Sequence, residues 1–281
     1  MNEDAIVRKL RRHSKFIGDD CAVLPAPRNQ DLLLTTDFTI EAVHFTRDTP
    51  AEAVGHKAGA RSLSDIAAMG GTPKYCLVSI GLAPWVDQSW LDGFYRGLHK
   101  LLRPTKTWIA GGDFSHAEQL VCNITICGVI AKGKSLLRSG AKLGDAIYVS
   151  GPLGGWRHKP VITPRLDIGR KLVGKARSCM DISDGLALDL HRLCLASGVS
   201  AELESIPLLN GATLEEALHD GEDYELLYTA PPKIRVPGIR IGAIVKGKRG
   251  SMKLSGKRLE PKGYDHFRNR SPAPPASVPP G

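Results

Sequence analysis

Long apolar runs are missing from this chain. No segment approaches the roughly 20 consecutive apolar residues of a membrane-spanning helix. The first 16 residues are polar and basic, without the apolar centre of an export signal. Both absences lead to the expectation of a soluble, cytoplasmic protein. Aromatic residues are scarce, at 6%, and none interleaves with the Lys and Arg clusters as a stacking platform for nucleic acid would require. The six cysteines contain no CxxC pair. Cys122 and Cys127 lie five apart in an alternating run, on opposite faces of a strand. The set reads as reduced core thiols. HExxH, zinc-spaced Cys/His sets and a Ser-His-Asp arrangement are also lacking, which leaves zinc and hydrolase chemistry without support.

What is present is positive charge and enough apolar material for a core. The 281 residues are 42% hydrophobic and 24% charged, with a formal charge of +9; that length suits about two domains. The basic runs at residues 8–15 and 246–258 read as solvated faces, and the excess charge suits a polyanionic small substrate better than nucleic acid.

The local pattern predicts α+β architecture. An N-terminal helix precedes GDDCAVL, and residues 31–36 form a strand ending at Asp37. Thr49, Pro50 and Glu52 read as N-cap, N1 and the closing member of a capping box, opening a helix with a small packed face of Ala58, Ala60, Ala67 and Ala68. Strands at 74–83, 107–110 and 120–131 and a helix over 88–102 complete a first unit with a mixed sheet. The Gly/Pro-rich residues 151–164 read as the connection to a second unit. Helices near 166–176, 185–196 and 214–219 and strands at 225–229, 240–245 and 252–254 build that unit. Residues from Ser271 onward, SPAPPASVPPG, read as a flexible tail. The expected division is 1–137, 138–268 and a Pro-rich tail, 269–281.

Carboxylates recur beside small residues at the ends of apolar runs: Asp19 and Asp20 in IGDDCAV, Asp37 in TTDF, Asp113 in AGGDFS, Asp181 and Asp184 in MDISDGL. Asp65, in SLSDIAAMGG, lies inside a helix. Mg²⁺ takes oxygen ligands, commonly one or two carboxylates plus substrate phosphates, and gathered carboxylates repel one another without a cation. Taken singly each has a simpler role: a turn residue, an N-cap at Asp184, an ion pair from Asp65 to Arg61. Spacing alone does not decide between these. Residues 128–135 fit GxxxxGK[ST], but no helix pattern follows to hold a phosphate, so a basic hairpin turn is expected instead. His44 follows the Asp37 strand, Glu222 and Asp223 stand at the mouth of a strand in GEDYELLYT, and KGYDHF closes the patterned part of the chain.

Together IGDDCAVL, TTDF with His44, SLSDIAAMG, AGGD, RSGAKLGDAIYVSG, Pro164-Arg165, MDISDGL, GEDYELLYT and KGYDHF resemble the thiamine-monophosphate kinase family, in order and across nearly the whole chain. The resemblance implies a two-domain synthetase-like fold. Its N-terminal mixed sheet carries helices on one face and pairs across a homodimer, and an α/β sandwich follows. It implies ATP and Mg²⁺ between the domains and phosphoryl transfer from ATP to thiamine monophosphate. Carried over by position, Asp20, Thr36, Asp37, Asp65, Asp113, Asp181 and Asp184 match metal ligands. Thr35, Thr36, Gly112, Arg138 and Ser183 match nucleotide contacts, and His44, Glu222 and Tyr264 match contacts to thiamine monophosphate. Asp37, Arg138 and Asp184 are the expected catalytic residues. Two departures stand out, at residues 151–164 and 230–239, where the family has longer, helical segments. A related synthetase with another substrate and a silent nucleotide-binding relative are the alternatives.

Overall fold

Alternating buried and less buried side chains mark the long strand β5 (Val121–Ala131) of the first sheet, while its neighbour β2 (Gln30–Ile40) carries the apolar run Leu32–Leu34 ahead of Thr35, Thr36 and Asp37. In the computed structural model, which describes residues 19–26, 29–159 and 161–265, these pair antiparallel over their whole length. The expected N-terminal helix, the tail and the last residues of KGYDHF lie outside the described residues. β1 (Ala22–Ala26) flanks β2, β3 (Thr72–Leu82) flanks β5, and β4 (Trp108–His116) runs parallel to β3, giving the order β1-β2-β5-β3-β4. Asp37 and Asp113 therefore lie within strands that outrun their expected ends.

The pleat sorts this sheet into two faces. Leu33, Cys122, Ile124, Ile126, Val78 and Ile80 point inward and are fully or nearly buried. Helices α1 (Ala51–Ala68) and α2 (Gln88–Thr105) belong to the same apolar cluster. The two helices meet backbone to backbone. A Cβ on Gly55 would collide with the carbonyl of Phe94, and one on Gly97 with the carbonyl of Glu52. The opposite face carries no helix among the described residues, and Phe38, Tyr75, Leu77 and Trp108 are exposed on it.

The start of α1 differs from the expected capping box. Pro50 holds the cap position without a side-chain bond. The Thr49 hydroxyl accepts from the Thr46 N–H at 3.1 Å, and Glu52 pairs with Arg96 of α2 at 2.9 Å. Each side chain has been claimed by a neighbour outside the helix terminus.

The chain crosses to the second sheet between Ala131 and β6 (Ala146–Val149). The P-loop-like stretch ends β5 in a turn at Gly133 (φ +67°), whose N–H donates to Asp31 at 2.7 Å. Neither a helix nor a pairing strand follows it directly, so it is a crossover turn, not a hairpin. Residues 151–164 consequently lie inside the second unit and do not connect the two. That unit runs α3 (Leu166–Leu172), β7 (Ser178–Asp181), α4 (Leu186–Ser197), β8 (Ser200–Leu203), α5 (Leu214–His219), β9 (Leu226–Ala230), β10 (Ile239–Val245), β11 (Met252–Leu254) and β12 (Lys257–Arg258). Its mixed sheet has the order β12-β11-β8-β10-β6-β9-β7.

The two units share apolar packing. Leu166, Leu172, Cys179, Leu226 and Tyr228 of the second belong to the cluster built on the first sheet. A Cβ on Gly169 of α3 would strike the carbonyl of Ala67, so α3 lies directly on the end of α1. The two shortened segments are tied down by polar contacts. Ser150, Lys159 and Arg165 all donate to the buried Glu225 carboxylate, and the Tyr228 hydroxyl donates to the carbonyl of Pro237. All six cysteines are free thiols, and burial lifts those of Cys76, Cys122 and Cys194 to about 12. No described helix is long and apolar enough to cross a membrane.

Candidate functional site

The junction between the units gathers acids from three separate elements. Asp20 precedes β1, Asp65 sits in the last turn of α1, and Asp181 ends β7. One carboxylate oxygen from each lies within 4.8 Å of the others. Asp37 faces the same junction from β2, accepting from the Ser62 hydroxyl at 2.9 Å. Burial raises the pKa of Asp20, Asp65 and Asp181. Repulsion from the other carboxylates pushes the same way, with Asp37 the strongest source for Asp65.

Local donors offset only part of that cost. The Thr35 hydroxyl donates to Asp65, and Ser64 donates to Asp181 at 2.6 Å. Arg138 grips Asp20 with Nε at 3.1 Å and with Nη2. The second oxygen of Asp20 is buried without a hydrogen-bond partner among the described residues. A dense, buried, under-neutralised set of hard oxygen donors with one oxygen unsatisfied fits Mg²⁺.

A second arm leads away from this cluster. The N–H groups of Ser183 and Asp184 both donate to one oxygen of Asp189 at 3.0 Å, which fastens the loop after β7. Asp189 is fully buried, and burial followed by the nearby Asp184 charge raises its pKa to about 7. Arg192 bridges Asp184 at 2.5 Å and Asp189 at 3.0 Å. Asp184 is thus an ion-pair residue; Gly185 occupies the cap position of α4. Asp189 and Arg192 escaped the sequence reading. The available signal was an acid on an otherwise apolar helical stripe, LALDL.

The third arm holds the expected acceptor residues. His44 Nδ1 accepts from the Ile40 N–H at 3.0 Å. The Glu222 N–H donates to the carbonyl of Ser183 at 2.8 Å, and the Tyr264 N–H to that of Asp184 at 2.9 Å. Burial, then the Glu222 charge, raises the Tyr264 phenol. Arg61 bonds Glu222 at 3.3 Å and not Asp65, so the helical pair expected as the simpler role of Asp65 does not form. Asp20, Asp37, Asp65, Asp181, Thr35 and Arg138 are brought to one junction, with Ser183 and Asp184 linked by hydrogen bonds to Glu222 and Tyr264.

Three expected residues are not brought there. Thr36 points to the opposite sheet face, where its hydroxyl meets Asn123 at 2.9 Å and Thr125 at 2.8 Å. Asp113 lies in the row Phe38–Asn123–Ser79–Asp113 on that same outer face. Gly112 shares the inner row with Asp37 but stands three strands away, about 14 Å at ordinary spacing. Its lack of a side chain admits the Val78 carbonyl. For Thr36 and Asp113 the physical reason is alternation, since neighbours along a strand face opposite ways; for Gly112 it is the strand order.

The family model "AIR synthase related protein, N-terminal domain" matches residues 18–130. The first sheet with its helices therefore matches that N-terminal domain. Among curated proteins, the thiamine-monophosphate kinase of Aquifex aeolicus is 35% identical, over 90% of this chain and 94% of the relative. That of Haemophilus influenzae is 36% identical, over 78% and 76%. The solved structure of AaThiL complexed with AMPPCP and TMP superposes with a TM-score of 0.89 at 33% identity, covering 95% of this chain and 97% of that one. The chain belongs to the thiamine-monophosphate kinase family.

Proposed function

We propose that this protein transfers the γ-phosphoryl group of ATP to the phosphate of thiamine monophosphate, forming thiamine diphosphate and ADP in a Mg²⁺-dependent, in-line reaction. The observation that carries the proposal is the convergence of the buried Asp20 and Asp181 with the half-buried Asp65, beside Asp37, in a member of a family of that activity. The neighbour solved with AMPPCP, a nucleotide that mimics ATP, and TMP supports the same two substrates.

Asp20, Asp65 and Asp181 would hold Mg²⁺, with Asp37 at their side and Asp184 on the loop that follows Asp181. Bound there, Mg²⁺ supplies the positive charge that offsets repulsion between two anionic phosphates. Arg138 adds a fixed guanidinium next to Asp20 and suits a nucleotide phosphate. Thr35 and Ser183 line the nucleotide side; His44, Glu222 and Tyr264 form the acceptor side. The attacking phosphate oxygen, with a second pKa of about 6, is already ionised at neutral pH, so the residues position and stabilise without a general base. The free thiols accord with a cytoplasmic setting. Incubation with ATP and thiamine monophosphate, with and without Mg²⁺, tests the proposal. Equimolar thiamine diphosphate and ADP are expected only with the metal. ATP binding without diphosphate formation would overturn the acceptor assignment.

The same reading includes a homodimer joined through the outer face of the first sheet. Trp108 is 71% exposed and Phe38 55% there, an apolar surface that a second copy would cover. Thr36 and Asp113 lie on that face, so any part they play in a site involves the interface. Trp108→Glu combined with Leu77→Glu is expected to convert the dimer to a monomer in analytical ultracentrifugation and to lower turnover. An unchanged sedimentation coefficient would move the interface elsewhere.

A further inference from the structure

Lys57 is the one cation of α1 that touches both sides of the acceptor region. Its Nζ donates to the carbonyl of His44 at 2.8 Å and to Glu222 Oε2 at 2.7 Å. His44 belongs to the turn after β2 in the first unit; Glu222 belongs to the loop before β9 in the second. One turn along the helix, Arg61 reaches the other oxygen of Glu222 at 3.3 Å, and its guanidinium lies over the Tyr224 ring at 5.9 Å. The pair is largely shielded, with Lys57 23% and Glu222 22% exposed at the side chain. Both oxygens of Glu222 are therefore occupied by protein cations, and its charge is already balanced.

The backbone around Glu222 needs such support. Glu222 (φ +58°) and Tyr224 (φ +48°) both adopt the left-handed region, which non-glycine residues enter at an energetic cost. Between them, Asp223 accepts from the N–H groups of Gly154 and Gly155 at 3.0 and 3.1 Å. The loop is thus anchored on one side by the second unit itself and on the other by Lys57 and Arg61 from α1.

We propose that Lys57 is a positioning residue for the acceptor: by tying the His44 turn to the Glu222 carboxylate, it sets the width of the thiamine monophosphate site. The inference rests on the reading of His44 and Glu222 as acceptor contacts. Lys57 acts through those residues and not on the reacting atoms. Its loss loosens acceptor binding while the carboxylate cluster, two turns further along α1 at Asp65, keeps its nucleotide side.

Lys57→Met keeps the apolar stem and removes the donors; Lys57→Arg restores a cation able to bridge two oxygens. The KM for thiamine monophosphate in Lys57→Met is expected to rise roughly 10- to 100-fold, the scale of one lost charge-assisted hydrogen bond. The KM for ATP should stay within about twofold, and Lys57→Arg should recover most of the loss. Glu222→Gln should raise the same KM, and the double variant should be no worse than the poorer single one. A lower melting temperature with kcat and both KM values impaired together would reduce Lys57 to a tie between units and overturn the proposal. An unchanged acceptor KM in Lys57→Met beside a raised one in Glu222→Gln would overturn it while leaving the acceptor site in place. No change in Glu222→Gln or His44→Ala would remove the acceptor reading itself, and the clamp with it. Should Lys57→Met lose its cooperative melt, Lys57→Gln takes its place in the same comparison.

Discussion

Asp65→Asn is expected to lower Mg²⁺-dependent turnover by at least about 10²–10³-fold, the range for deleting one group that stabilises transition-state charge, and yet to make the chelated protein more stable. The two effects share one cause. Asp65 is held among Asp37, Asp181 and Asp20 in a buried setting, and its carboxyl is pushed well above its ordinary value of 3.8, by burial first and by those charges next. At neutral pH without metal, folding carries that repulsion. Asparagine retains an oxygen for the Thr35 hydroxyl and removes the charge.

The sign with pH follows from linkage. A raised native pKa means the folded state binds the proton more tightly than the unfolded chain. Asp65 therefore contributes stability that is complete below 3.8 and lost as pH rises through its higher native value. Asp20 and Asp181 are raised likewise and act in the same direction. In EDTA, the difference in melting temperature between Asp65→Asn and wild type should thus grow from acid toward neutral pH. A gain of about 1 kcal/mol would appear as roughly 2–4 °C. Added Mg²⁺ should raise the wild-type melting temperature and leave the variant nearly unmoved. A variant that melts below wild type in EDTA would contradict the electrostatic account, and one with intact Mg²⁺-dependent turnover would end the metal assignment.

The second large effect belongs to packing. Gly97→Ala, which would ordinarily strengthen a helix by about 1 kcal/mol, is expected here to destabilise the protein by about 3 kcal/mol or more. The added methyl enters the space of the Glu52 carbonyl, and backbone cannot rotate away as a side chain does. Gly55→Ala meets the Phe94 carbonyl in the mirror arrangement. Lys100→Ala, on the exposed side of α2, serves as control and should stay within about 0.5 kcal/mol. Because α1 also carries Lys57, Arg61 and Asp65, forcing it from α2 should weaken substrate binding before the protein unfolds. Urea unfolding of the three variants checks the ranking; a neutral Gly97→Ala would mean that the helices do not approach so closely.

How far the primary structure could be read depended on the range of the interaction. The long alternating strands, the α5 helix over Leu214–His219 and the carboxylates beside small residues follow from rules that span a few neighbours. So does the sorting of Thr35 from Thr36, although expecting both at one nucleotide site overlooked it. Strict alternation along β2 already sets Thr35 and Asp37 on one face and Thr36 on the other. The start of α1 failed differently. Thr49 and Glu52 have the right chemistry for a capping box, but the Thr46 N–H and Arg96 compete for them, and Arg96 is 44 residues away.

The pairing of charges lay furthest from view. Arg138 meets Asp20 across 118 residues of chain, and Lys57 meets Glu222 across 165. Which acids repel, which are neutralised and which remain unsatisfied depends on separations of a few ångströms and on burial, and neither has a sequence period. Residue order thus specified the donors, the local strands and helices, and the family these belong to. Folding decided that Asp20, Asp65 and Asp181 share one buried space, because only the packing of α1 between the two sheets brings their elements within reach.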